Sequence, residues 1–431
     1  MLTSIAAPIF VIGVLIFVHE LGHFLAAKRA GIRVEAFSIG FGPAIFALTR
    51  GETVYKVSWI PFGGYVKMSG EEPVESEEGG DEPWRFHRKS VAARAGVILA
   101  GPAANVLLAV ITYALIFSCY GIERIGSTRV GQVLPDAPAG RAGLLPGDTV
   151  LAVGGKDVSE WEEIGRAFRV GDESVSLTVR RAGEEVRLTI SAEEGEPLGF
   201  GPDLEAVVGE VLPGGPAEKA GLRRGDRILS INGRSIDGWF GLQETVSSMP
   251  GEKVAIRLER EGRVVEKEAL LDEVEEMDAE GNARAVGRLQ ITLLQERVRI
   301  GPAEALAEAV RQTVWVMRNV IVFLRVLVSG GVSADMVGGP VSIFQMSGET
   351  ARRGFDTLLA LLAFLSVELG MLNLLPIPIL DGGQMVFIGI EAVRRRPISI
   401  EKRAVLQQIG LIFILLVMVT VTVFDVGRLL R

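Results

Sequence analysis

The sequence predicts a multi-domain membrane protein: an α-helical core of four transmembrane spans, with two tandem α+β domains between its halves. Three observations carry this. Four apolar runs are long enough to cross a bilayer. Two stretches in the middle of the chain repeat each other. The polar cluster HELGH, residues 19–23, lies inside the first apolar run. Of 431 residues, 48% are hydrophobic and 23% charged, too apolar for a soluble enzyme and too charged for a bare bundle of spans. The net charge of −8 counts against a nucleic-acid partner, which requires a basic patch. The single cysteine, Cys119, excludes an internal disulfide framework and a cysteine metal cluster; it reads as inert packing in an apolar run.

The spans cover about 5–27, 96–118, 355–375 and 405–424, each close to the roughly 20 residues a bilayer needs. The first has no basic leader and no small-residue cleavage site, so it reads as a retained helix. Lys28, Arg29 and Arg33 follow it, and Arg85, Arg88, Lys89 and Arg94 precede the second span. Arg394, Arg395, Arg396, Lys402 and Arg403 separate the last two. Basic loops stay inside, so 28–94 and 390–404 are expected in the cytoplasm, with both termini and the 120–350 region outside. In 303–328, Arg311, Arg318 and Arg325 recur every seven residues and form one polar stripe. Such a helix is expected to lie on or near the outer membrane surface.

Residues 130–161 and 208–239 align without a gap, and roughly half of the positions are identical, the mark of a duplicated unit. Each copy reads as strand, short helix (PAGRAGL, PAEKAGL), tight turn, strand and hairpin. Gly154-Gly155 and Asn232-Gly233 are favoured two-residue hairpin turns. The repeat resembles protease-associated PDZ domains over about 127–295. By that resemblance the domains bind extended peptides by strand addition or capture a C-terminal carboxylate; a pure size filter over the membrane is the alternative. The domain division is then 1–125, 126–204, 205–298 and 299–431.

On a helix, His19 and His23 are one turn apart and project from one face. Neutral imidazoles at that spacing suit two corners of a tetrahedral zinc site. Glu20 can serve as general base to a water whose pKa zinc lowers toward about 7. Ionisable residues inside a bilayer are costly and by default functional. A catalytic site needs a third ligand. His87, the one other histidine, sits in the basic stretch WRFHRKS and is a poor candidate. In NLLPIPILDGG, residues 373–383, two prolines break the third span and two glycines allow a tight turn, so Asp381 is the expected third ligand.

HELGH, NLLPIPILDGG and GPAAN (101–105) closely resemble the HExxH, NxxPxPxLDGG and GPxxN motifs of the site-2 protease family of intramembrane zinc metalloproteases. Four spans with two tandem PDZ domains resemble its branch of regulators of sigma-E. The resemblance spans essentially the whole chain. It implies Zn²⁺ held by His19, His23 and Asp381, with Glu20 as base. Asn105 and Asn373 would lie near the site, as amides that position the substrate or polarise the scissile carbonyl. Family members often carry histidine where this chain has Gln384, a position not needed as a ligand. Glu368, in the third span, is a further candidate by its cost.

Residues 52–68 alternate in strand fashion around PFGG and look like the family's membrane-associated β-hairpin, whose edge could pair with an unwound substrate. Residues 71–83, EEPVESEEGGDEP, read as a flexible acidic linker. The expected function is hydrolysis of a peptide bond in the transmembrane segment of a single-span substrate at a bacterial inner membrane. The resemblance implies a pre-trimmed anti-sigma factor as substrate, with remnant signal peptides as a further class. A PDZ scaffold with a vestigial metal site and a zinc-handling membrane protein are the rival classes. Intact ligands argue against the first, and the clustering of polar residues at one place argues against the second.

Overall fold

The structure is a computed structural model that describes residues 2–71, 82–168, 174–192, 198–277, 283–295, 297–328, 338–396 and 398–429. Nearly all of the acidic linker expected at 71–83 lies outside them. The chain forms two compact units, Met1–Gly121 with Arg299–Arg431, and Ile122–Val298.

The first unit opens with α1 (Leu2–Arg29) and the antiparallel pair β1 (Val34–Arg50) and β2 (Thr53–Met68). The expected hairpin at 52–68 is only half of this sheet. Ala36–Ile39 of β1 are flanked by Gly64–Lys67 on one side and Val54–Val57 on the other, while Ala44–Arg50 pair with Thr53–Ser58. Residues 41–50 escaped the sequence reading because they do not alternate. All ten are exposed, apolar Ile45, Phe46 and Leu48 among them, as is Trp59 of β2. Next comes α2 (Val91–Tyr120). The Ser90 hydroxyl caps its start by accepting the Ala93 N–H, and Gly121, at φ 78°, ends it where an L-residue would be strained.

The second unit begins with β3 (Ile122–Glu123) and holds two copies of one fold. The first copy runs β4 (Val130–Val133), α3 (Pro138–Arg141), β5 (Thr149–Val153), β6 (Lys156–Asp157), α4 (Trp161–Ala167), β7 (Ser174–Arg181), β8 (Glu184–Ser191) and β9 (Phe200–Pro202). The second runs β10 (Val208–Val211), α5 (Pro216–Ala220), β11 (Arg227–Ile231), β12 (Arg234–Ser235), α6 (Gly238–Ser247), β13 (Lys253–Arg260) and β14 (Arg263–Leu270). It adds a hairpin, β15 (Asp272–Met277) and β16 (Ala283–Arg288), before β17 (Ile291–Leu293). The strand β18 (Arg297–Val298) pairs back to β3. Each copy has a four-stranded sheet of the same order, β6-β5-β7-β8 and β12-β11-β13-β14, and a two-stranded one, β4-β9 and β10-β17. Both hairpin turns have two consecutive positive φ angles, at Gly154-Gly155 and Asn232-Gly233, as a type I′ turn demands. Each copy encloses its own core, around Leu177, Val179 and Ile190 in the first and Ile231, Ile256 and Leu258 in the second. Fully burying each such side chain contributes about 1.5–3 kcal/mol. A buried aspartate recurs as well: Asp148 accepts from Arg181 at 2.6 Å and Asp226 from Arg260 at 2.7 Å.

The chain then returns to the first unit with α7 (Pro302–Val328), α8 (Pro340–Arg353), α9 (Phe355–Asn373), α10 (Asp381–Arg394) and α11 (Ile400–Leu429). Among the described residues, four helices are long and apolar enough to span a membrane: Ala6–Arg29, Val91–Tyr120, Phe355–Asn373 and Glu401–Gly427. The arginine-striped α7 packs along α2 and α9. Ala309, Val316 and Val320 join the core formed by Val11, Ala109, Tyr113 and Leu362, while Arg311, Arg318 and Arg325 stay exposed. The stripe is amphipathic as read; part of its apolar surface meets neighbouring helices, while Val314, Trp315, Ile321, Val322 and Phe323 stay exposed. Cys119 is exposed, so it is not the packed core residue that its apolar surroundings suggested.

Candidate metal centre

Two helices, α1 and α10, bring the expected ligands together. His19 and His23 sit one turn apart on α1, and their Nε2 atoms are 3.2 Å apart. Asp381 Oδ2 lies 3.2 Å from His19 Nε2 and 3.4 Å from His23 Nε2. No other group of three such side chains occurs among the described residues.

The backbone is built to allow this. In the loop 374–380, Pro376 and Pro378 cannot continue α9, so the helix stops at Asn373. The chain turns back and restarts at Asp381, the first residue of α10, where the helix dipole favours a carboxylate. A Cβ on Gly382 would meet the Leu374 carbonyl oxygen at 2.2 Å, and one on Gly383 the Ile377 oxygen at 2.1 Å. Both glycines are therefore demanded by the loop folding over the helix start. Two others let α1 and α2 touch. A Cβ on Gly22 would sit 2.3 Å from the Ala100 oxygen, and one on Gly101 2.2 Å from His23 Nε2.

The donor set fits zinc. His23 Nδ1 donates to the Val97 carbonyl at 2.9 Å, which in the neutral ring leaves a lone pair on Nε2. That lone pair faces another imidazole nitrogen and a carboxylate oxygen. Asp381 Oδ2 is buried without a hydrogen bond. Electron-rich atoms converging in this way need a cation between them. Zn–N and Zn–O bonds of about 2.0–2.2 Å set tetrahedral edges of about 3.3–3.6 Å, close to the three separations observed.

Glu20 adjoins His19 and is partly buried. The strand segment at Gly64 runs past it: a Cβ there would lie 3.0 Å from Glu20 Cγ. Asn105 lies beside the site, fully buried, with its Nδ2 3.3 Å from His19 Nδ1. Asn373 ends α9 and is partly buried, as is Glu368 one turn earlier. His87 lies on the surface, next to the Gly70 carbonyl. Sequence reasoning missed the contribution of the Val97 carbonyl, a backbone atom with no residue signature. It also missed the bidentate pair Arg94–Glu391 at 2.9 and 2.6 Å, which ties the start of α2 to α10. Those two residues are 297 positions apart, and nothing local links them.

The sequence matches the family model for peptidase family M50 over residues 7–417. It is 35% identical to the regulator of sigma-E protease RseP of Escherichia coli K12 and 36% identical to the protease RseP of Yersinia pestis, each alignment covering 99% of both chains. It is 33% identical, at the same coverage, to a chain of Neisseria meningitidis named as a candidate zinc metalloprotease. The chain belongs to peptidase family M50, and it is a membrane zinc metalloprotease of the site-2 type.

Proposed function

We propose that this enzyme hydrolyses a peptide bond inside the transmembrane segment of a single-span substrate, with His19, His23 and Asp381 as the zinc ligands and Glu20 as the general base. The observation that carries the reading is the convergence of three metal-binding atoms on helices apolar enough to lie in a bilayer. Zinc at that point supplies a Lewis acid that activates water and polarises the scissile carbonyl. Glu20 takes the proton of the attacking water and returns it to the leaving amine. The broken backbone at 374–380 gives water and an unwound substrate room at membrane depth.

A helical substrate shields its own peptide bonds. Residues 64–68 of β2 form an outer strand of the small sheet, adjacent to Glu20, and can hold an extended substrate by strand addition. The two repeats serve as PDZ domains. Their clefts, of about 420 Å³ between α4 and β9 and about 270 Å³ between α6 and β17, receive peptide ends and exclude bulky outer domains. The names of the relatives point to sigma-E regulation. The matching substrate is a membrane-anchored anti-sigma factor, already trimmed outside by another protease, with remnant signal peptides as a second class. We read this activity as lying in a bacterial inner membrane, and the basic loops favour an orientation with 28–94 and 390–404 cytoplasmic and the repeats and both termini outside.

The test is cleavage of single-span substrates with and without a folded outer domain, with the cut mapped by mass spectrometry. The expected result is a cut within the apolar segment of the trimmed substrate alone. A cut outside that segment contradicts the intramembrane reading, and equal cleavage of both substrates contradicts the filter.

A further inference from the structure

We propose that Asn105 is a positioning residue for His19: its side-chain carbonyl accepts the His19 Nδ1 proton and thereby fixes which ring nitrogen faces the metal. The proposal rests on the zinc reading of the site and deepens it.

α1 and α2 lie side by side, and the partners of the two histidines line up along α2. Val97, Gly101 and Asn105 are spaced i, i+4, i+8 and share a stripe of that helix. His23 rests against this stripe at Val97 and Gly101, and His19 against it at Asn105. The backbone carbonyl of Val97 can only accept, so it sets the His23 tautomer without ambiguity. His19 has no such carbonyl. Its Nδ1 meets the Asn105 amide at 3.3 Å, and Asn105 is fully buried.

The amide can turn either face to the ring. With Nδ2 toward the ring, it donates to Nδ1. The single proton of the neutral imidazole is then on Nε2, directed at Asp381 Oδ2 and His23 Nε2, where no metal could be bound. In that orientation Asn105 Oδ1 is buried without a partner. A half-turn of the amide exchanges the two atoms. Oδ1 then accepts from Nδ1–H, and the Nε2 lone pair faces the other two ligands. A ligating histidine almost always donates its second N–H in this way, and the acceptor fixes ring orientation. Metal binding therefore selects one face of this amide.

The residue is held for that work. Its backbone carbonyl accepts the Ser366 hydroxyl at 2.8 Å, and Ser366 is fully buried on α9. A Cβ on Gly370 would lie 3.5 Å from the Asn105 Cβ, so α9 is pressed against the same point. The helix that leads into the 374–380 loop before Asp381 is thus clamped to the residue that aims His19.

The test compares wild type, Asn105→Asp and Asn105→Leu in the purified full-length protein. The readouts are zinc retention against a competing chelator and cleavage of one substrate at saturating zinc. Asn105→Asp keeps an acceptor and loses the amide N–H; Asn105→Leu loses both. The expected result is a 10- to 100-fold weaker zinc affinity in Asn105→Leu and near wild-type affinity in Asn105→Asp. Unchanged zinc affinity in Asn105→Leu overturns the proposal. Normal zinc affinity with lost turnover in both variants also overturns it, and assigns the amide N–H to the reacting carbonyl instead. Should Asn105→Leu not fold, the aspartate variant decides: loss of zinc in a folded Asn105→Asp overturns the proposal, and retention supports it. If wild type itself retains no zinc, the metal reading fails first, and that outcome is distinct from all of these.

Discussion

Buried polar groups mean different things in the two units. In the repeats, Asp148 and Asp226 are almost inaccessible, and each is answered by an arginine of the same copy. A backbone N–H, from Leu145 and Arg223 respectively, supports each carboxylate as well. Donors match acceptors, and the result is structure. In the membrane unit, His19, His23 and Asp381 converge on one point, and with the His19 proton on Nδ1 they bring three acceptors face to face. Left that way the arrangement is unfavourable; only a cation completes it. A satisfied buried charge stabilises a fold, whereas convergent unsatisfied acceptors mark a site.

Mutations should separate the two roles. The largest effect is expected from His23→Ala, which removes a ligand: zinc content and cleavage should both be lost, while the repeats keep their protection against hydrogen exchange. Next is Gly101→Ala. Its methyl would fall 2.2 Å from His23 Nε2, so the ring must move. A displacement near 1 Å costs about 10²-fold in turnover, to be read from kcat, again with the repeats unaffected. Arg260→Ala should do the reverse. It strands the Asp226 carboxylate, which is 1% exposed, and should destabilise the second repeat by about 2–4 kcal/mol with zinc content intact. The figure stands below the usual cost for a fully buried pair because the Arg260 side chain is 20% exposed. Arg181→Ala should cost less, since Arg181 is 31% exposed.

The smallest effect is that of pH. Burial would raise the carboxyl pKa of Asp148 and Asp226, but the bonds from arginine and backbone outweigh it and hold both below the ordinary aspartate range. A group whose folded pKa is depressed stabilises the fold above its unfolded value, about 4, and loses that contribution as pH falls through the folded value. Hydrogen-exchange protection of both repeats should therefore be flat near neutrality and decline below about pH 4. A decline that begins near pH 6 would contradict this account, because the repeats contain no histidine.

How much of this was legible in the sequence follows the same division. The spans, the duplication, the type I′ turns and the three side chains that converge in the membrane unit could all be read, because each rests on a local pattern or a residue type that is costly where it stands. The break at 374–380 was readable from Pro376 and Pro378. The rest depended on partners remote in the chain. Val97 acts through its backbone. Asn105 was legible as a residue near the site, but sequence gives its motif and not its burial against His19. The first half of the small sheet was missed because Phe41–Arg50 is exposed on both faces and shows no alternation. The amphipathic pattern of α7 showed that one side is buried but not which neighbours bury it.

The most direct test of the central claim is to purify wild type and Glu20→Gln, measure zinc in both, and follow cleavage of one single-span substrate. The account predicts equal zinc and a loss of about 10²- to 10⁴-fold in turnover for Glu20→Gln, the range for removing a general base. Comparable turnover in the two proteins, or a wild-type protein that cleaves without bound zinc, would contradict it.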